Sequence, residues 1–148
     1  MNWRLEKACS LSVFSQGKGM APVVKVELVA GLLDRFCVGL CLLQKGLVDS
    51  LDLVGTRTAQ VIRLQSAARA TSIQFDKGRI VLALDTTELE RWVHFTLRTV
   101  RDGVAEVDHF DVEASSEKHE AEATTVVVVF PSSAPSVSPA EARRRLGL

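Results

Sequence analysis

Net charge is what this sequence most plainly lacks: eighteen lysines and arginines cancel eighteen aspartates and glutamates. A neutral chain exerts no global pull on nucleic acid or anionic lipid, so a partner has to be recognised by a local patch. Cysteine is scarce too. Cys9, Cys37 and Cys41 are too few and too odd in number for a disulfide framework. Cys37 and Cys41 stand in the apolar "FCVGLCLL" with no histidine nearby. They read as small apolar side chains in a reducing compartment, because free cysteine packs like a hydrophobe. No apolar run approaches the roughly 20 residues that a membrane span needs. The opening "MNWRLEKACSLSVFSQGKGMAP" is too broken by Gln16, Gly17 and Lys18 to act as a secretory signal. These absences together point to the cytoplasm. Phosphate-binding glycine loops, HExxH, paired CxxC and nucleophile elbows are missing as well, so neither a cofactor nor a catalytic residue is assigned.

What is present is ordinary globular material. At 148 residues, 47% apolar and 24% charged, the chain suits one core rather than two. Residues 1–22 read as a weakly ordered N-terminal extension, with Met20 as an alternative start. Residues 23–130 read as a single α+β domain, and residues 131–148 as a Pro/Ser linker followed by a short C-terminal helix. Within the domain, "VVKVELVA" alternates apolar and charged residues like a half-buried strand. Residues 31–54 fit two periods. Leu32, Phe36, Leu40, Leu43 and Leu47 recur at helical steps, while Phe36, Val38, Leu40 and Leu42 alternate like a strand. Gly39 and Gly46 each cost about 1 kcal/mol inside a helix, which tips the reading toward strand then turn.

Further along, "QVIRLQSA" reads as a strand, and "TSIQFDKGRIVLALD" as a hairpin turning at Gly78. "DTTELERWVHFTLRTVRDG" then carries a capping-box pattern, Thr87 with Glu90, and stops at Gly103. At 100° per residue, Leu89, Trp92, Val93, Thr96, Leu97 and Val100 share its apolar face. The four valines of "TTVVVVF" suit a strand buried on both faces or one added late to a sheet. The fold expected is α+β: a mostly antiparallel sheet with one principal amphipathic helix, 87–101, packed on one face.

One stretch concentrates polar chemistry. "EVDHFDVE" (106–113) holds Glu106, Asp108, His109, Asp111 and Glu113. On a strand, His109, Asp111 and Glu113 share one side, while Glu106, Asp108, Phe110 and Val112 share the other. Two carboxylates and an imidazole can hold a divalent ion or exchange protons. One strand alone spaces them about 6.5–7 Å apart, however, and no second contribution is visible. No metal ligand is therefore assigned. His94 and His119 read as surface imidazoles.

Two stretches resemble known families. "SPAEARRRLGL" is similar to the first helix of excisionase-type helix-turn-helix domains, but the recognition helix that should follow is missing, and three arginines alone grip phosphate weakly. Nucleic acid is thus disfavoured as a partner. Residues 71–114, running strand, "DKG" turn, strand, capped helix and strand, resemble the small α+β domains of bacterial immunity proteins, which neutralise toxins by binding. That resemblance implies a non-catalytic protein whose acidic patch meets a protein partner with a basic surface. The expected function is accordingly non-enzymatic protein binding through Glu106, Asp108, His109, Asp111 and Glu113. One rival is a small metal-dependent or acid/base enzyme using His109, Asp111 and Glu113. Another is a structural or assembly subunit engaging partners through Val126–Val129 and the terminal helix.

Overall fold

The computed structural model describes residues 1–14, 17, 20–57, 59–103, 108–117, 122–131, 140, 143, 144 and 147. Eight strands form one sheet: β1 (Asn2–Phe14), β2 (Val23–Leu28), β3 (Ser50–Gly55), β4 (Val61–Ser66), β5 (Ser72–Asp76), β6 (Arg79–Leu84), β7 (His109–Ala114) and β8 (Thr124–Val129). Their spatial order is β5-β6-β4-β3-β1-β2-β8-β7. Each consecutive pair is antiparallel (β1 with β2, β3 with β4, β5 with β6, β7 with β8). Three parallel pairings, β1–β3, β2–β8 and β4–β6, then join those pairs into a whole. The sheet is therefore mixed, and the expected mostly antiparallel pairing fits only in part, with four antiparallel pairings to three parallel ones. It bends round until its two ends touch at a single parallel bridge, Ser72 with Ser115.

Among the described residues two helices, not one, pack on its buried face: α1 (Leu33–Gln44) and α2 (Thr86–Asp102). The strand reading of residues 31–54 is thus corrected over its first half, and the two glycines that favoured it have other roles. An added Cβ on Gly39 would sit 2.8 Å from Leu51 Cδ1 and 3.4 Å from Trp3 Cδ1, so this glycine lets α1 approach the sheet closely. Gly46, at φ +72°, ends the helix. Its N–H donates to the Leu43 carbonyl and the Leu47 N–H to the Leu42 carbonyl, the paired bonds of a Schellman stop.

α2 forms where expected, with two differences in detail. Asp85, not Thr87, is its N-cap: the carboxylate accepts from the Glu88 N–H at 2.9 Å. Asp85 is held further by Thr71, whose hydroxyl donates to it at 3.1 Å. The buried face is rotated as well. Leu97 is exposed, whereas Thr99 is buried beside Leu89, Trp92 and Thr96. Thr99 can be buried cheaply because its hydroxyl donates to the Phe95 carbonyl at 2.8 Å.

The N-terminal extension is also corrected. Asn2–Phe14 is the long strand in the middle of the sheet, pairing β3 with its first half and β2 with its second. Between Leu5 and Cys9 it carries two residues more than β3 does, and Lys7 takes φ +50° there. β8 lies between β2 and β7, but its side chains alternate buried and half-buried, so it is not enclosed on both faces. The linker and helix expected at 131–148 fall almost entirely outside the described residues. No helix among the described residues is long and apolar enough to cross a membrane.

Candidate functional site

β7 alternates exposed and buried residues without a slip. Phe110, Val112 and Ala114 enter the core, and His109, Asp111 and Glu113 line the face turned away from the helices. Asp108 precedes the strand and joins this exposed group instead of sitting opposite it, with its Oδ1 3.1 Å from His109 Nδ1. Glu106 and His119 lie outside the described residues. Four of the five expected binding residues are therefore described, and they are neighbours on one exposed ridge.

What holds that ridge in place is aromatic. Phe110 stacks on Phe95 with ring centroids 5.2 Å apart, and meets Trp92 edge-on at 5.4 Å. Phe130 closes the cluster at 5.7 Å. From α2, Arg91 lays its guanidinium 5.4 Å over the Phe110 ring and donates to the Asp111 carbonyl. The same arginine forms an ion pair with Glu88 at 3.1 Å. The position of β7 is thus set by the helix beneath it, while its outward side chains are left to solvent.

The neighbouring strands contribute little charge to that face. Across the ladder His109 faces Val129, Asp111 faces Val127 and Glu113 faces Thr125, whose hydroxyl donates to Glu113 Oε1 at 3.0 Å. Val127 and Val129 are half-buried. One strand further, Lys25 is already paired with Glu27 at 3.0 Å. Among the described residues no lysine or arginine forms an ion pair with Asp111 or Glu113. Nor do any three His, Cys, Asp or Glu side chains among the described residues converge closely enough to hold a metal ion.

Sequence reasoning missed a second polar centre. Asp52 on β3 is 1% exposed although it lies on the outer face of the sheet. Arg63, its cross-strand partner on β4, grips it with two hydrogen bonds of 2.8 and 3.0 Å, and Asn2 on β1 adds a third at 3.0 Å. The signal was present as one charged residue in each of "SLDLVG" and "VIRLQ", but only register puts the two opposite each other. Burial pushes the Asp52 carboxyl up; the hydrogen bonds from Arg63 and Asn2, with the charges of Arg63 and Arg79, outweigh it and hold the group below the usual carboxylate range. Three hydrogen bonds and near-complete burial of Asp52 make this pair a structural tie between β1, β3 and β4. Two of the cysteines are chemically quiet: burial pushes Cys9 up to about 12, and burial with Cys41 alongside does the same for Cys37. Both are protonated thiols at neutral pH and poor nucleophiles.

No protein-family model and no curated protein matches this chain.

Proposed function

We propose that this is a non-enzymatic binding protein whose acidic β7 face docks a basic surface on a partner protein. One observation carries the reading: Asp108, Asp111 and Glu113 stand exposed together, beside half-buried Val127 and Val129, with no lysine or arginine paired to Asp111 or Glu113 among the described residues. Like charges along one strand face repel, and a basic partner relieves that cost. Complementary charge also speeds and orients association. The two valines supply apolar area for the middle of an interface, and His109 completes the ridge. The specific form proposed is an immunity-type protein that neutralises a partner by covering its basic surface, which the resemblance of residues 71–114 supports.

The test combines capture with stability. Tagged protein is used to capture partners from the native host, and bound proteins, including products of adjacent genes, are identified by mass spectrometry. Asp111→Asn with Glu113→Gln should abolish capture of the specific partner while leaving the melting temperature unchanged or slightly raised, because the like-charge repulsion is gone. Melts are then repeated with micromolar Zn²⁺ or Mn²⁺, with and without chelator. A stoichiometric metal-induced rise that disappears in Asp111→Asn would transfer the reading to a metal-dependent site.

A further inference from the structure

The two ends of the sheet are finished differently. On β7 the backbone of Asp108 turns toward β8, where its carbonyl accepts from the Phe130 N–H, so His109, Asp111, Glu113 and Ser115 present their backbone groups outward. Arg91 of α2 covers that edge by donating to the Asp111 carbonyl. On β5 the outward backbone groups are those of Thr71, Ile73 and Phe75. Ser115 satisfies the first part of this edge: its N–H donates to the Thr71 carbonyl at 3.2 Å, and its carbonyl accepts from the Ile73 N–H at 2.8 Å.

A second parallel step would bring Glu117 to Ile73 and Phe75, but no such bond is formed among the described residues. Pairing stops, and a cleft of about 590 Å³ opens between Phe75 and Asp76 on one side and Ser116 and Glu117 on the other. By the alternation of the ladder, the Ile73 carbonyl and the Phe75 N–H and carbonyl point into it.

We propose that this cleft takes an extended peptide segment of a partner protein, added as a strand on β5, with lysine or arginine beside Asp76 and Glu117. Unpaired donors and acceptors at strand spacing are what an incoming strand matches, and backbone bonds then provide affinity while side chains provide choice. Half-buried Phe75 supplies an apolar contact. The charged residues lining the cleft are both carboxylates, and neither forms an ion pair among the described residues. A second copy of the chain is a poor occupant, because its own edge strand "SIQFD" brings another carboxylate and no cation. This site is separate from the β7 docking face and does not depend on it.

The probe is an acetylated, amidated heptapeptide of alternating lysine and valine, titrated into ¹⁵N-labelled protein. Amide shifts should move at 72–76 and 115–117, and exchange of the Phe75 N–H should slow. Methylating alternate backbone nitrogens of the peptide should weaken binding roughly fivefold or more, since each edge bond lost is worth about that factor. Asp76→Asn with Glu117→Gln should weaken it and remove its salt dependence. Asp111→Asn with Glu113→Gln should leave the shifts at 72–76 in place, which separates this cleft from the docking face. Three results overturn the proposal: no movement at 72–76 with millimolar peptide, equal binding of the methylated peptide, or shifts there that follow protein concentration alone and so report a second copy.

Discussion

Trp92 is 1% exposed and meets the ring of Phe36 edge-on at 6.3 Å and that of Phe110 at 5.4 Å. It joins both helices to β7, so Trp92→Ala should cost about 3–5 kcal/mol in chemical denaturation, as large aromatic truncations do. A loss below about 1 kcal/mol would mean that the helices dock without it. The Asp52–Arg63 pair makes a different prediction, because its stability depends on pH. A carboxyl whose folded-state pKa lies below its unfolded value of about 3.9 stabilises the fold fully above that value. The contribution drains away as pH falls through the lowered folded-state value. Asp52→Asn should therefore lose about 1–2 kcal/mol at neutral pH, since it leaves Arg63 without its charge partner although that arginine is partly open to solvent. Below about pH 4 the gap from wild type should narrow. Urea midpoints measured across that range check both statements; a constant gap would assign the loss to packing. Trp92 was legible from helical periodicity. Asp52 was not, because nothing local distinguishes a buried strand aspartate from an exposed one until its cross-strand neighbour is known.

The helices show how a correct local rule can give the wrong element. Two glycines in "DRFCVGLCLLQKG" weigh against a helix by propensity, yet Gly39 is the notch through which α1 meets Leu51, and Gly46 is its stop. Propensity prices a glycine as if it were in solvent and is blind to close approach from another element. The two sites should therefore respond to alanine in the opposite sense to a solvent-exposed helical glycine. Gly39→Ala gains about 1 kcal/mol in propensity. It also forces a Cβ against Leu51, which is fully buried and has little room to yield. Overpacking of this kind typically costs about 1–3 kcal/mol. Gly46→Ala meets no neighbour but must hold a left-handed φ, at a cost of about 1 kcal/mol. Gly31→Ala, with open space and no such φ, should be close to neutral and serves as the control. Equal melting temperatures for all three variants would contradict the close approach of α1. In α2 the lesson is smaller. The cap and stop were readable to within a residue or two, while the buried face took in Thr99 and left out Leu97, because a threonine whose hydroxyl bonds its own helix can be buried at little cost.

At the scale of the whole molecule, sequence patterns found hairpins but not their assembly. β5 with β6, and the strands β4, β7 and β8, follow from alternation and turn residues that lie within a few positions of one another. The three parallel pairings join segments distant in sequence, and no local pattern encodes which edge meets which. β1 was lost for a further reason: the two extra residues between Leu5 and Cys9 interrupt its period and make "LEKACSLSVF" look irregular. The exposed alternation of "HFDVE" was legible, because a half-buried strand announces its wet face; the cleft beside β5 was not, because it arises where the two ends of the sheet meet once and part. The position of β1 yields the sharpest global prediction. It alone links β3 to β2, so without it β5-β6-β4-β3 and β2-β8-β7 stay joined within the sheet only through the single Ser72–Ser115 bridge. It also contributes Leu5, Ala8 and Cys9 to the core. Removal of residues 1–14 should therefore abolish cooperative unfolding, leaving exposed strand edges on both fragments and a tendency to aggregate. A weakly attached extension predicts the reverse, a shortened chain with the same sharp transition. Thermal melts followed by circular dichroism, paired with sedimentation to detect aggregates, separate the two. A cooperative monomer lacking residues 1–14 would show that the sheet closes without its middle strand.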